Sequence, residues 1–72
     1  MSYKLIYNGY TVEFLDSEKA CYDYIENRIN EHKNLNPQLI YNHSTKNKTV
    51  IVYQYNTFYC EMFMIIKPEK PN

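Results

Sequence analysis

The chain contains a single glycine, Gly9, and it follows Asn8 in the middle of a stretch that alternates apolar and polar residues from Tyr3 to Leu15. Asn-Gly is the strongest short hairpin signal, because both residues accept the positive φ of the turn whose twist suits two right-twisted strands. Strands are therefore predicted over 3–7 and 10–14. A two-residue loop pairs Tyr7 with Tyr10, Leu5 with Val12 and Tyr3 with Phe14 on one face. Lys4 then falls opposite Glu13 on the other face, a favourable cross-strand charge pair.

A change of period follows. Asp16 offers a carboxylate to cap a helix, and Leu15 and Ala20 have the spacing of a hydrophobic staple. Ala20, Cys21, Tyr24, Ile25 and Ile29 recur at helical spacing, with Asp23, Glu26, Asn27, Asn30 and Glu31 on the other side. The helix is expected over 17–33. His32 and Lys33 suit its negative end, Asn34 can take a left-handed conformation, and Pro37 prevents a restart.

From Leu39 the residues turn β-branched and aromatic, with breaks at 44–47 and at Asn56-Thr57. Three more strands are expected, near 38–43, 48–55 and 58–66. If Asn56-Thr57 is a two-residue turn, Tyr55/Phe58, Tyr53/Cys60, Ile51/Met62 and Thr49/Met64 share the face on which the helix packs. Leu39 and Tyr41 are assigned to the same side. The opposite face then holds Gln54/Tyr59, Val52/Glu61, Val50/Phe63 and Lys48/Ile65. The expected fold is α+β in the order ββαβββ: one domain over 1–66, a mostly antiparallel sheet with one helix on one face, and a flexible tail over 67–72.

Composition narrows the classes of function. Seventy-two residues admit one small domain with a modest core. Eight basic and eight acidic side chains balance, which removes the generic attraction that dominates nucleic-acid binding. No apolar run has the length of a signal-peptide core or a bilayer span, so a cytoplasmic protein without a membrane partner is expected. Asn, Lys, Tyr and Ile are abundant and Trp is absent, a bias that follows A/T-rich codons and suits a phage or mobile element.

Chemistry-bearing residues are sparse. Cys21 and Cys60 are expected as buried reduced thiols, and pairing Cys60 with His43 as a nucleophile has no motif behind it. Cys21, His32, His43 and Cys60 are potential zinc ligands, but their spacing matches no C-x-x-C or H-x-x-x-H unit. No enzyme, metal or cofactor is expected.

Nine tyrosines are the distinctive feature, since tyrosine supplies rigid contact area with a polar tip. Tyr3, Tyr7, Tyr10, Tyr53 and Tyr55 fall on faces assigned to the core, leaving Tyr22, Tyr59 and Tyr41. The uncovered face, with Val50, Val52, Tyr59, Phe63 and Ile65, is too apolar to stand against water and is expected to bind a protein. A homodimer is the commonest solution, and a host protein that an accessory factor inhibits is the other partner expected. The alternative is single-stranded nucleic acid stacked on the aromatics, with Lys46, Lys48 and Lys67 as a rim.

Overall fold

In the computed structural model, which describes residues 2–69, Asn8 and Gly9 both take positive φ, 57° and 76°. The loop nevertheless holds three residues. Tyr7 pairs with Thr11, Leu5 with Glu13 and Tyr3 with Leu15, so β1 (Tyr3–Tyr7) and β2 (Thr11–Leu15) lie one residue away from the two-residue register. Successive side chains on a strand point to opposite faces, so this one step sends Tyr10, Val12 and Phe14 to the side away from Leu5 and Tyr7. It also lets Leu15 pack against the core where the chain turns into the helix.

The helix α1 (Glu18–Glu31) is capped by Ser17, whose hydroxyl oxygen accepts from the Ala20 N–H at 3.0 Å. Asp16 does not cap, because β2 runs through Leu15 and leaves Asp16 in the connection before Ser17. After α1 a 3₁₀ turn over Lys33–Leu35 carries the chain to Asn36, which takes the left-handed conformation (φ 58°) expected of Asn34. Pro37 follows and the chain extends.

Three strands complete the sheet: β3 (Gln38–Ser44), β4 (Lys48–Asn56) and β5 (Tyr59–Ile66). The spatial order is β2-β1-β5-β4-β3, with every neighbouring pair antiparallel. The architecture is the expected α+β domain in ββαβββ order, its first and last strands side by side.

The β4/β5 hairpin also departs from its predicted register. Its turn is Thr57-Phe58, because Asn56 accepts the Phe58 N–H on its side-chain oxygen at 2.8 Å and so opens the turn as an Asx motif. An irregularity at Tyr55 absorbs the extra residue. Ile51 consequently pairs with Phe63, Thr49 with Ile65 and Tyr53 with Glu61. The odd-numbered residues of β4 face the helix as expected, but every side chain of β5 is exchanged between faces.

The core therefore consists of Leu5, Tyr7, Ile51, Phe63 and Ile65 from the sheet and Cys21 and Ile25 from α1. Phe63, Ile65 and Leu5 have no exposed surface. In β3 a bulge at Ile40 puts Leu39 opposite Tyr53 and Tyr41 opposite Val52, so only Leu39 faces the helix side. Even there it remains exposed, since a groove of about 360 Å³ separates α1 from β3. At the end of β5, Lys67 donates from its backbone to Asn47 and from its ammonium to Ser44 Oγ and Thr45 O. Residues 70–72 of the expected tail lie outside the described residues.

Candidate functional site: an uncovered sheet face

One helix covers one side of five strands, and the other side carries no layer among the described residues. Strand registers assemble that side in rows. Val12, Ile6, Met64 and Val50 are neighbours in successive strands, ending at His43 on β3. Beside them run Met62, Val52 and Tyr41. At one end lie Phe14, Lys4, Ile66 and Lys48; at the other, Cys60 beside Gln54.

Two features set this surface apart. Its middle is aliphatic and sulfur-bearing, with Phe14 (68% exposed) and Tyr41 (50% exposed) toward the outer strands. Its charged side chains are Lys4 and Lys48, both beside Ile66, and the described strands place no carboxylate on it. Contiguous apolar area of this extent is uncommon on a monomer that stays monomeric.

The structure redistributes the residues that sequence assigned to this face. Val50 and Val52 belong to it. Phe63 and Ile65 do not; they are the buried centre beneath α1. Tyr59 projects on the helix side, its ring stacked on Tyr55 at 5.2 Å. Ile6, Met62, Met64 and Ile66 were missed on it, and Val12 and Phe14 were placed on the wrong side. The signal that locates those of β5 is the hydrogen-bonding capacity of Asn56, which decides whether it stands in the turn or before it, whereas Val12 and Phe14 follow from the three-residue loop between β1 and β2. Of the lysine rim, Lys48 lies on the face, Lys46 lies in the β3–β4 connection, and Lys67 turns toward Glu18 at 3.5 Å.

On the opposite side, exchange of the β5 faces brings Glu61 into the core. Its side chain has no exposed surface and accepts from Arg28 Nε at 2.5 Å and from the Tyr55 hydroxyl at 2.9 Å. The Arg28 guanidinium also lies 4.8 Å from the centre of the Tyr7 ring, and the Tyr7 and Tyr24 hydroxyls share a hydrogen bond of 2.6 Å. Both Glu61 oxygens are thus partnered, and among the described residues no buried side-chain polar atom is left without a hydrogen bond. This network stabilises the packing of α1 on β5.

The same network gives the fold a pH limit. Burial, then the bond to Glu61, pushes the Tyr55 phenol far above its ordinary value; the bond with Tyr7, then burial, pushes Tyr24 up to about 12. The fold favours both phenols protonated, so their contribution is complete below the unfolded tyrosine value of about 10 and falls as pH rises through the folded values. Urea midpoints are expected to decline above about pH 10, and less steeply in Tyr24→Phe. Equal slopes in the two proteins would contradict the assignment.

The other chemistry-bearing residues stand apart. Cys21 is buried beneath α1, whereas Cys60 is exposed and on the far side of the sheet, contrary to its expected burial; both are free thiols. The sheet separates them, so a helix-to-sheet disulfide does not fit this fold. His32 packs edge-on against Tyr55, and His43 lies on β3. No metal-ligating cluster of three or more His, Cys, Asp or Glu occurs among the described residues, and none of their helices is long and apolar enough to cross a membrane. Comparison with family models, with curated proteins and with solved structures gives no match.

Proposed function

We propose that this chain is a non-catalytic protein-interaction module that works through its uncovered sheet face and associates with itself there. The observation that carries the proposal is the apolar row Val12, Ile6, Met64 and Val50, which crosses four strands and over which the described residues place no layer. A soluble partner surface removes that area from water at about 25 cal/mol per Å² of apolar surface. Methionine at the centre favours a protein partner, because its flexible thioether adapts to an irregular surface. A host protein, the partner suggested by composition, would compete with the second copy for the same area.

One observation favours a second class of partner. Glu61 was expected in the middle of this face, where it would repel phosphate; with Glu61 buried, Lys4 and Lys48 meet no carboxylate on it. Against single-stranded nucleic acid stands the distribution of aromatics. Stacking platforms set aromatic rings where the bases lie, and here the middle of the sheet is aliphatic.

Light scattering after size exclusion separates these readings. Wild type is expected to run as a dimer whose stability holds at high salt, and Met64→Glu as a folded monomer, since it puts a carboxylate into the row but not into the core. A wild type that stays monomeric at all concentrations, and binds oligonucleotides with a steep salt dependence, would overturn the proposal.

A further inference from the structure

β3 is an edge strand with main-chain groups to spare. Thr45 donates from its backbone to Lys48 O at 2.7 Å, which makes these two a hydrogen-bonded pair. Bonded and non-bonded pairs alternate along an antiparallel ladder, so His43/Val50 and Tyr41/Val52 bond across it and Asn42 and Ser44 do not. Because β3 ends the order β2-β1-β5-β4-β3, the N–H and C=O of Asn42 and Ser44 point away from the sheet. All seven residues of β3 are exposed, and none is a lysine, an arginine or a carboxylate, the side chains that usually guard a free edge.

Beside this edge lies the groove of about 360 Å³ between α1 and β3, with Ile25, Ile29, Leu39 and Ile51 on its walls and Asn42 on its β3 side. An apolar cavity of about 150 Å³ holds a benzene ring, so the groove has room for one large apolar side chain. Glu26 also lines it and makes no ion pair among the described residues. A free edge next to a side-chain pocket is how sheets take up an added strand: main-chain bonds hold the segment and the pocket selects it.

A second copy's β3 satisfies the edge but not the groove. In every two-fold pairing through the free groups of Asn42 and Ser44, the residue set beside Asn42 is Asn42, Ser44 or Lys46 of the second copy, and none of these is apolar. We propose that β3 and the groove bind an extended segment of another protein as a sixth strand, antiparallel to β3. A large apolar side chain opposite Asn42 fills the groove, and a cation two residues away, on the same side of the segment, faces Glu26. This edge lies outside the uncovered face, and the inference does not rest on what closes that face.

The probe is acetyl-Thr-Lys-Thr-Phe-Thr-Lys-Thr-amide, whose side chains follow the same order from either end. It is titrated into ¹⁵N-labelled Met64→Glu, which keeps the uncovered face out of the measurement. The Asn42 and Ser44 amides are expected to shift and to become protected from exchange, with further shifts at Leu39 and Ile29. Alanine in place of the peptide's phenylalanine should weaken binding roughly 10- to 100-fold, the effect of burying one phenyl side chain. Glutamate in place of its lysines should weaken it also, and more so at low salt. N-methylation of the phenylalanine nitrogen deletes a bond to the edge without altering the protein and should abolish the protection. Asn42→Pro removes an outward N–H but leaves the bonds of Tyr41 and His43 to β4, and should lose binding while keeping its fold. No protection of Asn42 and Ser44 at about 1 mM peptide, equal binding of the N-methylated peptide, or shifts confined to Met62 and its neighbours on the uncovered face would each overturn the proposal. Light scattering that shows Met64→Glu as a dimer, and Met64→Glu/Asn42→Pro as a monomer, would assign the edge to a second copy and overturn it too.

Discussion

Phe63→Ala is expected to destabilise the protein by about 3–5 kcal/mol, while Met64→Ala, one residue further on, is expected to change monomer stability by less than about 1 kcal/mol. Phe63 has no exposed surface and packs with Leu5, Ile51 and Ile65 beneath α1. Its ring also lies 6.0 Å from that of Tyr7. Truncating a buried phenylalanine costs about 3–5 kcal/mol in lost transfer energy and cavity. For 72 residues a total stability of roughly 4–11 kcal/mol is typical, so the loss removes from about a quarter to all of it. Met64 looks out from the uncovered face, and its truncation leaves no cavity in the core. Circular dichroism with urea titration measures both variants. The reverse ranking would return β5 to the register with Met62 and Met64 inside.

Arg28→Met is expected to destabilise by about 3 kcal/mol, the lower end for breaking a buried ion pair, because the Glu61 carboxylate then stays buried without its cation. The lower end applies since Arg28 keeps 27% of its side-chain surface exposed and water can reach the gap, whereas Glu61 keeps none. Adding Glu61→Leu to Arg28→Met should recover part of the loss, since an apolar pair of similar volume is often no worse than the ion pair it replaces. Tyr55→Phe completes the repair by removing the hydroxyl that loses its acceptor. A double-mutant cycle from urea midpoints tests this. Simple additivity of the Arg28 and Glu61 losses would show that the pair is not coupled.

Both results turn on a feature that local sequence carries only in part. Element types were legible: the Asn8-Gly9 turn, the helix from its spaced Cys21, Ile25 and Ile29, and three β-branched strands after Pro37 all form. Registers were not. Asn8-Gly9 accepts positive φ in a loop of either two or three residues, and the choice is made by Leu15, which reaches the core only in the longer one. At Asn56 the decision belongs to a side-chain hydrogen bond to Phe58 N, a contact that competes with placing Asn56 inside the turn.

Because side chains alternate, each one-residue step changed the composition of a whole face. The existence of an uncovered apolar surface was legible from the excess of large apolar residues over what one helix can cover. Its membership was legible on β4, where Val50 and Val52 were placed correctly, and not on β2 or β5. The bulge at Ile40 divided Leu39 from Tyr41, which plain alternation would have kept on one side.

Met62 and Met64 report directly on whether the uncovered face is as described and whether something closes it. Both can be oxidised to sulfoxides by hydrogen peroxide wherever reagent reaches them, and fragment mass spectrometry distinguishes the two positions. In dilute solution both should oxidise readily, and at concentrations where the dimer forms both should become protected, with Met64 protected the more because it sits in the central row. Resistance of Met62 and Met64 at every concentration would place them in the core beneath α1, and rapid oxidation at every concentration would mean that no second copy covers the face.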